Sequence, residues 1–99
     1  MEEIKNLYVR RNEENMVWNR VGQEVIIILT REDEDKVLRL NKTAGFIWEN
    51  CDGKKTVQEI VKNLYLKYSI DEATAMDEAV KLLNQMRKKQ LITLSANPS

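Results

Sequence analysis

Residues 25–48, VIIILTREDEDKVLRLNKTAGFIW, carry the strongest secondary-structure signals of the chain, and these change from strand-like to helix-like part-way along. The run 25–30 is rich in stiff β-branched side chains, which favour a pleated strand. After an acidic turn at 32–35, residues 36–40 alternate between polar and apolar and predict a second strand, antiparallel to the first. Asn41 follows, where its side chain can cap a helix whose apolar residues recur at helical spacing.

A shorter strand signal precedes this stretch. Residues 16–22 combine aromatic and β-branched side chains and end at a glycine. Three short strands with tight connections predict an antiparallel meander, with the strand 36–40 at one edge of the sheet. Its alternation places Leu38 and Leu40 on the side of the helices, and Val37 and Arg39 on the opposite side.

Three helices are predicted in the remainder of the chain. The first ends at Gly53, a residue suited to the left-handed position after a helix. The second begins with a capping box formed by Thr56 and Glu59. The third runs from Asp71 to about Lys89, with an acidic first turn and a basic last turn that complement the helix dipole.

These elements predict one α+β domain. Residues 91–94 are expected to return as a short strand after the third helix. The fold class is therefore a winged helix-turn-helix: a three-stranded antiparallel sheet, three helices and a short terminal wing strand. The domain spans residues 1–99, with an ordered core of about 8–94.

Composition narrows the classes of function. The charges of sixteen basic and sixteen acidic side chains cancel, so the formal net charge is zero. A nucleic-acid-binding protein usually needs a surplus of positive charge. The longest apolar run, 25–29, is too short to span a bilayer, and the opening residues 1–3 do not resemble a signal peptide. A lone cysteine, Cys51, fits a reducing compartment. We therefore expect a cytoplasmic protein with neither nucleic acid nor membrane as its partner.

The residues of common active sites are missing. The chain has no histidine, the usual general base and transition-metal ligand. Cys51 stands on the apolar side of its predicted helix and is expected to be a buried thiol. Acidic pairs such as Asp33 with Asp35 are explained by turns and helix caps, and no phosphate loop or nucleophile elbow occurs. The sequence predicts no catalytic residue, no metal site and no cofactor.

Several motifs, taken in order, resemble the PqqD-like family. They are Leu40-Asn41-x-Thr43-Ala44-x-x-Ile47-Trp48, Asp52-Gly53-x-x-Thr56-x-x-Glu59-Ile60 and Leu64-x-x-x-Tyr68, with similar flanks at 8–11, 17–22 and 78–92. The resemblance covers about residues 8–94. Two positions depart from it: Gln90 replaces a glycine that the family often has before the terminal Leu-Ile, so the last helix is expected to end differently, and Glu78 replaces an aspartate.

The resemblance implies a leader-peptide recognition element of ribosomal peptide modification. Such a domain has no catalytic role; it binds the leader of a precursor peptide beside its third strand and third helix. It then presents the peptide to a modifying enzyme, often a radical S-adenosylmethionine protein. The formation of pyrroloquinoline quinone is one such pathway, which the resemblance does not select. Two alternatives stay open: a winged-helix DNA-binding protein and a noncatalytic structural subunit of an enzyme complex.

The expected peptide site combines an open strand edge with an apolar wall. An edge strand offers unpaired backbone groups to an extended peptide, and apolar pockets supply the remaining affinity. The apolar arc of the third helix spans about 160°, wider than a small sheet requires, so its surplus flank is a candidate wall, although the whole arc can also be core. The candidate residues are Lys36, Val37, Leu38 and Arg39 on the strand, and Met76, Val80, Leu83 and Arg87 on the helix.

The strand 25–29 is apolar on both of its faces. One face must pack on the helices. We expect the N-terminal segment 4–9 to cover the other. The alternative is that this second face binds the partner enzyme or forms a homodimer.

Overall fold

Two small antiparallel sheets and three helices enclose one hydrophobic core. The computed structural model describes residues 4–31 and 34–98. Its elements are a 3-10 turn (Ile4–Asn6), β1 (Tyr8–Arg11), β2 (Met16–Val21), β3 (Glu24–Arg31), β4 (Glu34–Leu40), α1 (Lys42–Glu49), β5 (Asp52–Thr56), α2 (Val57–Tyr68), α3 (Glu72–Lys88) and β6 (Ile92–Ser95). The larger sheet has the strand order β2–β3–β4 and the smaller one β5–β1–β6. The predicted α+β class, with its meander, three helices and terminal strand, is confirmed. Within the described ranges, no helix is both long and apolar enough to cross a membrane.

The turn between β2 and β3 fixes which backbone groups of the larger sheet point outward. Gly22, with a φ of 65° that a residue without Cβ adopts easily, opens a two-residue turn between the paired Val21 and Glu24. In such a hairpin the pair that flanks the turn is hydrogen-bonded, and bonded pairs alternate from there. Thr30 fits this alternation, because its N–H donates to the carbonyl of Asn15 on the β2 side at 2.9 Å. The odd-numbered residues of β3 therefore form their backbone hydrogen bonds with β4.

Helix α1 lies close to β3 because residue 45 is glycine. A Cβ at this position would stand 2.9 Å from Cγ2 of Val25, which is itself fully buried. The close approach places Trp48 in the core, where its ring meets that of Trp18 edge-on at a centroid distance of 6.1 Å. The start of α1 is thereby held at the end of β4.

The three helix starts are as predicted. Asn41 and Asp71 each accept a backbone N–H three residues further on, at 2.9 and 3.1 Å. Thr56 and Glu59 form the reciprocal capping box. Each cap satisfies backbone donors that the helix itself leaves unpaired.

The predicted end of the first helix is wrong. The helix is capped at Asn50, whose side chain donates to the carbonyl of Phe46 at 2.8 Å. Gly53 has a φ of 83° but lies in β5, which pairs with β1. The polar sequence of β5 has little strand propensity, and its strand conformation comes from this pairing with a distant segment.

The end of α3 keeps the conformation that a glycine would favour. Gln90 has a φ of 62° and directly follows the cap residue Lys89. Asn12 fixes this turn, because its side chain donates to the carbonyl of Gln90 at 3.0 Å and its backbone N–H to that of Leu91 at 2.8 Å. Gln90 thus adopts a left-handed backbone that is less favourable for a residue with a side chain.

The prediction that residues 4–9 cover the second face of β3 is also wrong. β1 pairs with β5 on one side and β6 on the other, so both of its edges are satisfied within the smaller sheet. Val9 points into the core and is fully buried. Ile28, on the outer face of β3, stays 43% exposed.

Cys51 is a buried thiol, as predicted. It has no exposed surface, and its Sγ donates to the carbonyl of Ile47 at 3.2 Å. Burial raises the pKa of the Cys51 thiol to about 12. Cys51 therefore stays a protonated, unreactive core residue near neutral pH.

Candidate functional site

The outer edge of β4 has no partner strand among the described residues, which confirms the predicted edge. The sheet register pairs Leu38 with Ile27, and the alternation set by the β2–β3 turn makes this a hydrogen-bonded pair. The N–H and C=O groups of Val37 and Arg39 therefore point away from β3. They form a row of main-chain donors and acceptors open to an extended chain.

The side chains of β4 divide between two faces, as the alternation predicts. Leu40 is buried, and Leu38 is half-buried against the core. On the opposite face Val37 is 59% exposed, and the exposed Arg39 pairs with Glu24 at 2.9 Å. Arg39 therefore presents its backbone to the edge while an ion pair restrains its side chain.

A cleft opens between α1 and α3 where β4 ends. It has a volume of about 240 Å³ and is lined by Asn41, Thr43, Ala44, Ile47, Glu78, Lys81, Leu82 and Gln85. The buried Ile47 and Leu82 supply apolar surface, while Glu78 and Lys81 put one charge of each sign on the exposed side. Such a cleft suits an apolar side chain whose main chain runs along the neighbouring strand edge.

The candidate residues of α3 lie on its other flank. Leu83 is only 1% exposed, and Met76 is half-buried against the core. Val80 is half-buried, and Arg87 is exposed and donates to the side chain of Asn84 at 3.1 Å. None of these residues lines the cleft between α1 and α3.

Sequence reasoning missed the flank of α3 that carries Glu78 and Gln85. The helical wheel places both beside the apolar arc, but the position of α1 decides which flank becomes a cleft. One available signal was the pair Thr43 and Ala44, since small side chains in the first turn after a strand leave space beside the strand end.

The exposed side of α3 is poorly suited to DNA. Glu72, Asp77 and Glu78 are all exposed on this helix, and Asp77 forms an ion pair with Lys81 at 3.1 Å. A recognition helix in a major groove would bring these carboxylates close to phosphates. This charge pattern disfavours the DNA-binding alternative.

Three similarities connect this arrangement with known proteins. The family model of coenzyme PQQ synthesis protein D (PqqD) matches residues 16–92. A PqqA binding protein of Acinetobacter baylyi is 32% identical over 78 residues, which are 78% of this chain and 73% of that protein. The structure of TbiB1 in complex with the TbiA(beta) leader peptide superimposes with a TM-score of 0.71 at 20% identity, over 84% of this chain and 93% of the other. That structural similarity shows the fold.

Proposed function

The chain belongs to the PqqD family, and on that basis we propose that it is a noncatalytic adaptor for the leader segment of a ribosomally made precursor peptide. The leader adds as a strand to the outer edge of β4 and places apolar side chains in the cleft between α1 and α3. The observation that carries the proposal is the open edge of β4 directly beside that cleft. A relative that is named for binding PqqA, and a similar fold solved with a leader peptide, support it.

Both parts of the site are needed for affinity. Val37 and Arg39 offer four outward backbone groups, each worth about 0.5–1.5 kcal/mol when hydrogen-bonded. Ordering the backbone of the peptide costs about 1–2 kcal/mol per residue, so hydrogen bonds alone do not hold it. Each apolar side chain that is well buried in the cleft adds about 1.5–3 kcal/mol. The edge therefore fixes the register, and the cleft supplies affinity and selectivity.

The partner enzyme in this proposal is a radical S-adenosylmethionine protein that modifies the bound precursor. The resemblance to the PqqD-like family supports this partner class. A cytoplasmic location fits the single, free and buried Cys51, which suits a reducing compartment.

Proline substitutions on β4 test the edge. We expect Val37→Pro and Arg39→Pro each to weaken leader binding at least tenfold, because each removes one outward N–H and restricts the backbone. Val37→Ala and Arg39→Ala keep the donor and serve as matched controls, with affinities within about threefold of wild type. Isothermal titration with a synthetic leader from a neighbouring precursor gene measures the difference, and thermal melts verify folding. Unchanged affinity in folded proline variants would rule out pairing at this edge.

A further inference from the structure

A pocket of about 540 Å³ opens at the end of the larger sheet, where α1 begins. It lies on a different flank of α1 from the peptide cleft, because Lys42 and Phe46 line the pocket whereas Thr43 and Ala44 line the cleft. Three cations, one carboxylate and two aromatic rings surround this basic pocket: Arg20, Lys42, Lys67, Glu49, Phe46 and Tyr68. None of them takes part in the strand pairing or in the cleft described above.

The basic pocket contains two positive charges that no carboxylate of its lining neutralises. Arg20 is paired, because its Nε and Nη2 donate to Glu49 at 2.8 and 2.6 Å and its Nη1 donates to the carbonyl of Gly22 at 3.2 Å. Lys42 and Lys67 differ, since neither forms an ion pair with any carboxylate in the part of the chain that the structure describes. A chain with a net charge of zero thus has a local excess of positive charge here.

The ring of Tyr68 restrains both ammonium groups. Nζ of Lys42 lies 5.3 Å from the ring centre, and Nζ of Lys67 lies 5.9 Å from it. Phe46 packs edge-on against the same ring at a centroid distance of 5.6 Å. A cation–π contact orients a lysine side chain and leaves N–H donors available for an anion. The two ammonium groups are therefore oriented beside an aromatic wall.

Helix stability does not explain the position of Lys42. It is the first residue of α1, directly after the cap Asn41, where the helix dipole disfavours a cation. Lys67 lies in the last turn of α2, where a cation is favourable. The positive end of α1 adds to the potential that attracts an anion into the pocket. Lys42 is thus better placed to bind an anion than to stabilise its own helix.

The size of the basic pocket favours a short acidic segment over a large polyanion. Nucleic acids and anionic membranes are bound by many cations spread over an extended surface. Lys42 and Lys67 offer two charges in one concave site, which one or two carboxylate groups would neutralise. An acidic side chain of a peptide has this chemistry.

The sheet register places the basic pocket within reach of a peptide on the β4 edge. Arg20, Val25 and Leu40 stand in one row across the three strands. A strand added beside β4 extends this row by one position, so it lies about 14 Å from Arg20, at about 4.8 Å per strand. Four or five extended residues span that distance.

We propose that the basic pocket binds the carboxylate of an Asp or Glu of the precursor peptide, about four to six residues beyond the segment that pairs with β4. This inference rests on the proposed function and adds a second recognition element to it. The peptide leaves the strand edge at Leu40, passes the start of α1 and places its acidic residue between Lys42 and Lys67.

Isothermal titration with the synthetic leader of the neighbouring precursor gene tests the contact. An exposed ion pair contributes at most about fivefold to affinity, so we expect Lys42→Gln combined with Lys67→Gln to weaken binding about tenfold at about 50 mM salt. The difference should shrink to about twofold at about 500 mM salt, because salt screens exposed charges. Lys62→Gln, which changes an exposed lysine of α2 outside the pocket, is the matched control and should bind as wild type does.

A reciprocal exchange of charge shows whether the contact is direct. We expect Lys42→Glu combined with Lys67→Glu to bind the leader at least tenfold more weakly, and to recover affinity for a leader in which lysine replaces the acidic residue. A change that acted only through the fold would give no such recovery, and thermal melts verify that the variants fold.

Two results would overturn this inference alone. They are a leader that binds the β4 edge but has no acidic residue at the expected spacing, and wild-type affinity in folded protein that carries both glutamines. In either case the proline variants of β4 would still weaken binding. A leader that does not bind the wild-type chain at all would overturn the proposed function together with this inference.

Discussion

Arg11 links β1 to the end of α1 and to the tryptophan pair. Its Nη1 donates to the carbonyls of Trp48 and Glu49, both at 3.0 Å, where the helix dipole is negative. Its guanidinium lies 4.9 Å from the ring centre of Trp18 and pairs with Glu13 at 2.9 Å. Sequence reasoning did not single out Arg11, because the carbonyls it caps lie 37 and 38 residues away.

Removal of this side chain should destabilise the domain. We expect Arg11→Ala to lower the free energy of unfolding by about 2–3 kcal/mol, since charged hydrogen bonds to half-buried carbonyls are lost. Urea unfolding followed by tryptophan fluorescence measures the change. The neighbouring Arg10 is exposed, and Arg10→Ala is the control with an expected change below about 0.5 kcal/mol. Equal effects of the two substitutions would contradict a specific role for Arg11.

Gln90 provides a stabilising substitution. Its left-handed backbone favours glycine, so Gln90→Gly should raise the free energy of unfolding by about 0.5–1 kcal/mol. Lys89 has a φ of −86°, and Lys89→Gly at this ordinary conformation should not stabilise. Thermal denaturation of the two variants checks the contrast, and a loss of stability in Gln90→Gly would mean that the glutamine side chain matters more than its backbone.

At the scale of elements, the helix starts were predictable because a cap depends on residues that are neighbours in the sequence. The edge position of β4 was also predictable, since strand order follows from short connections. β5 was not, because its pairing with β1 joins segments about 45 residues apart. The cleft was not predictable either, because it depends on how α1 and α3 lie relative to each other.

Two substitutions decide which flank of α3 contacts the peptide. Ala44→Leu extends an apolar side chain into the cleft beside β4 and should weaken leader binding at least tenfold by filling it. Val80→Asp places a charge on the opposite flank, and it should also weaken binding if the sequence-based candidates on that flank, which include Val80, contact the peptide. The geometry favours the larger effect for Ala44→Leu. Titration calorimetry compares them, and a loss in Val80→Asp alone would transfer the site to the flank with Met76 and Arg87.

At the scale of the whole molecule, carboxylates held by arginines make stability depend on pH. A hydrogen bond from Arg20 lowers the pKa of Glu49, and one from Arg11 lowers that of Glu13. A carboxylate with a lowered folded pKa stabilises the fold above its ordinary value of 4.5, and this contribution is lost as the pH falls through the folded pKa. Protonation also drives the net charge from zero towards +16, which adds self-repulsion.

Thermal melts between pH 7 and pH 3 should show this loss. We expect Tm to be nearly constant down to about pH 5 and to fall steeply below 4.5. Glu49→Gln should lower Tm at pH 7, where the ion pair with Arg20 is intact, and differ little from wild type at pH 3. An equal decrement at both pH values would show that Glu49 contributes through packing instead.

The open border of β4 also carries a hazard for the free protein. An edge strand with unpaired backbone hydrogen-bond donors and acceptors can pair with a strand of another molecule. Repeated addition of strands in this way is how amyloid-like fibres grow. The exposed cation Lys36 stands on this strand, where stacked copies would bring like charges together. Repulsion between like charges therefore opposes fibre growth at the open edge. A bound peptide would occupy the edge and block such growth completely.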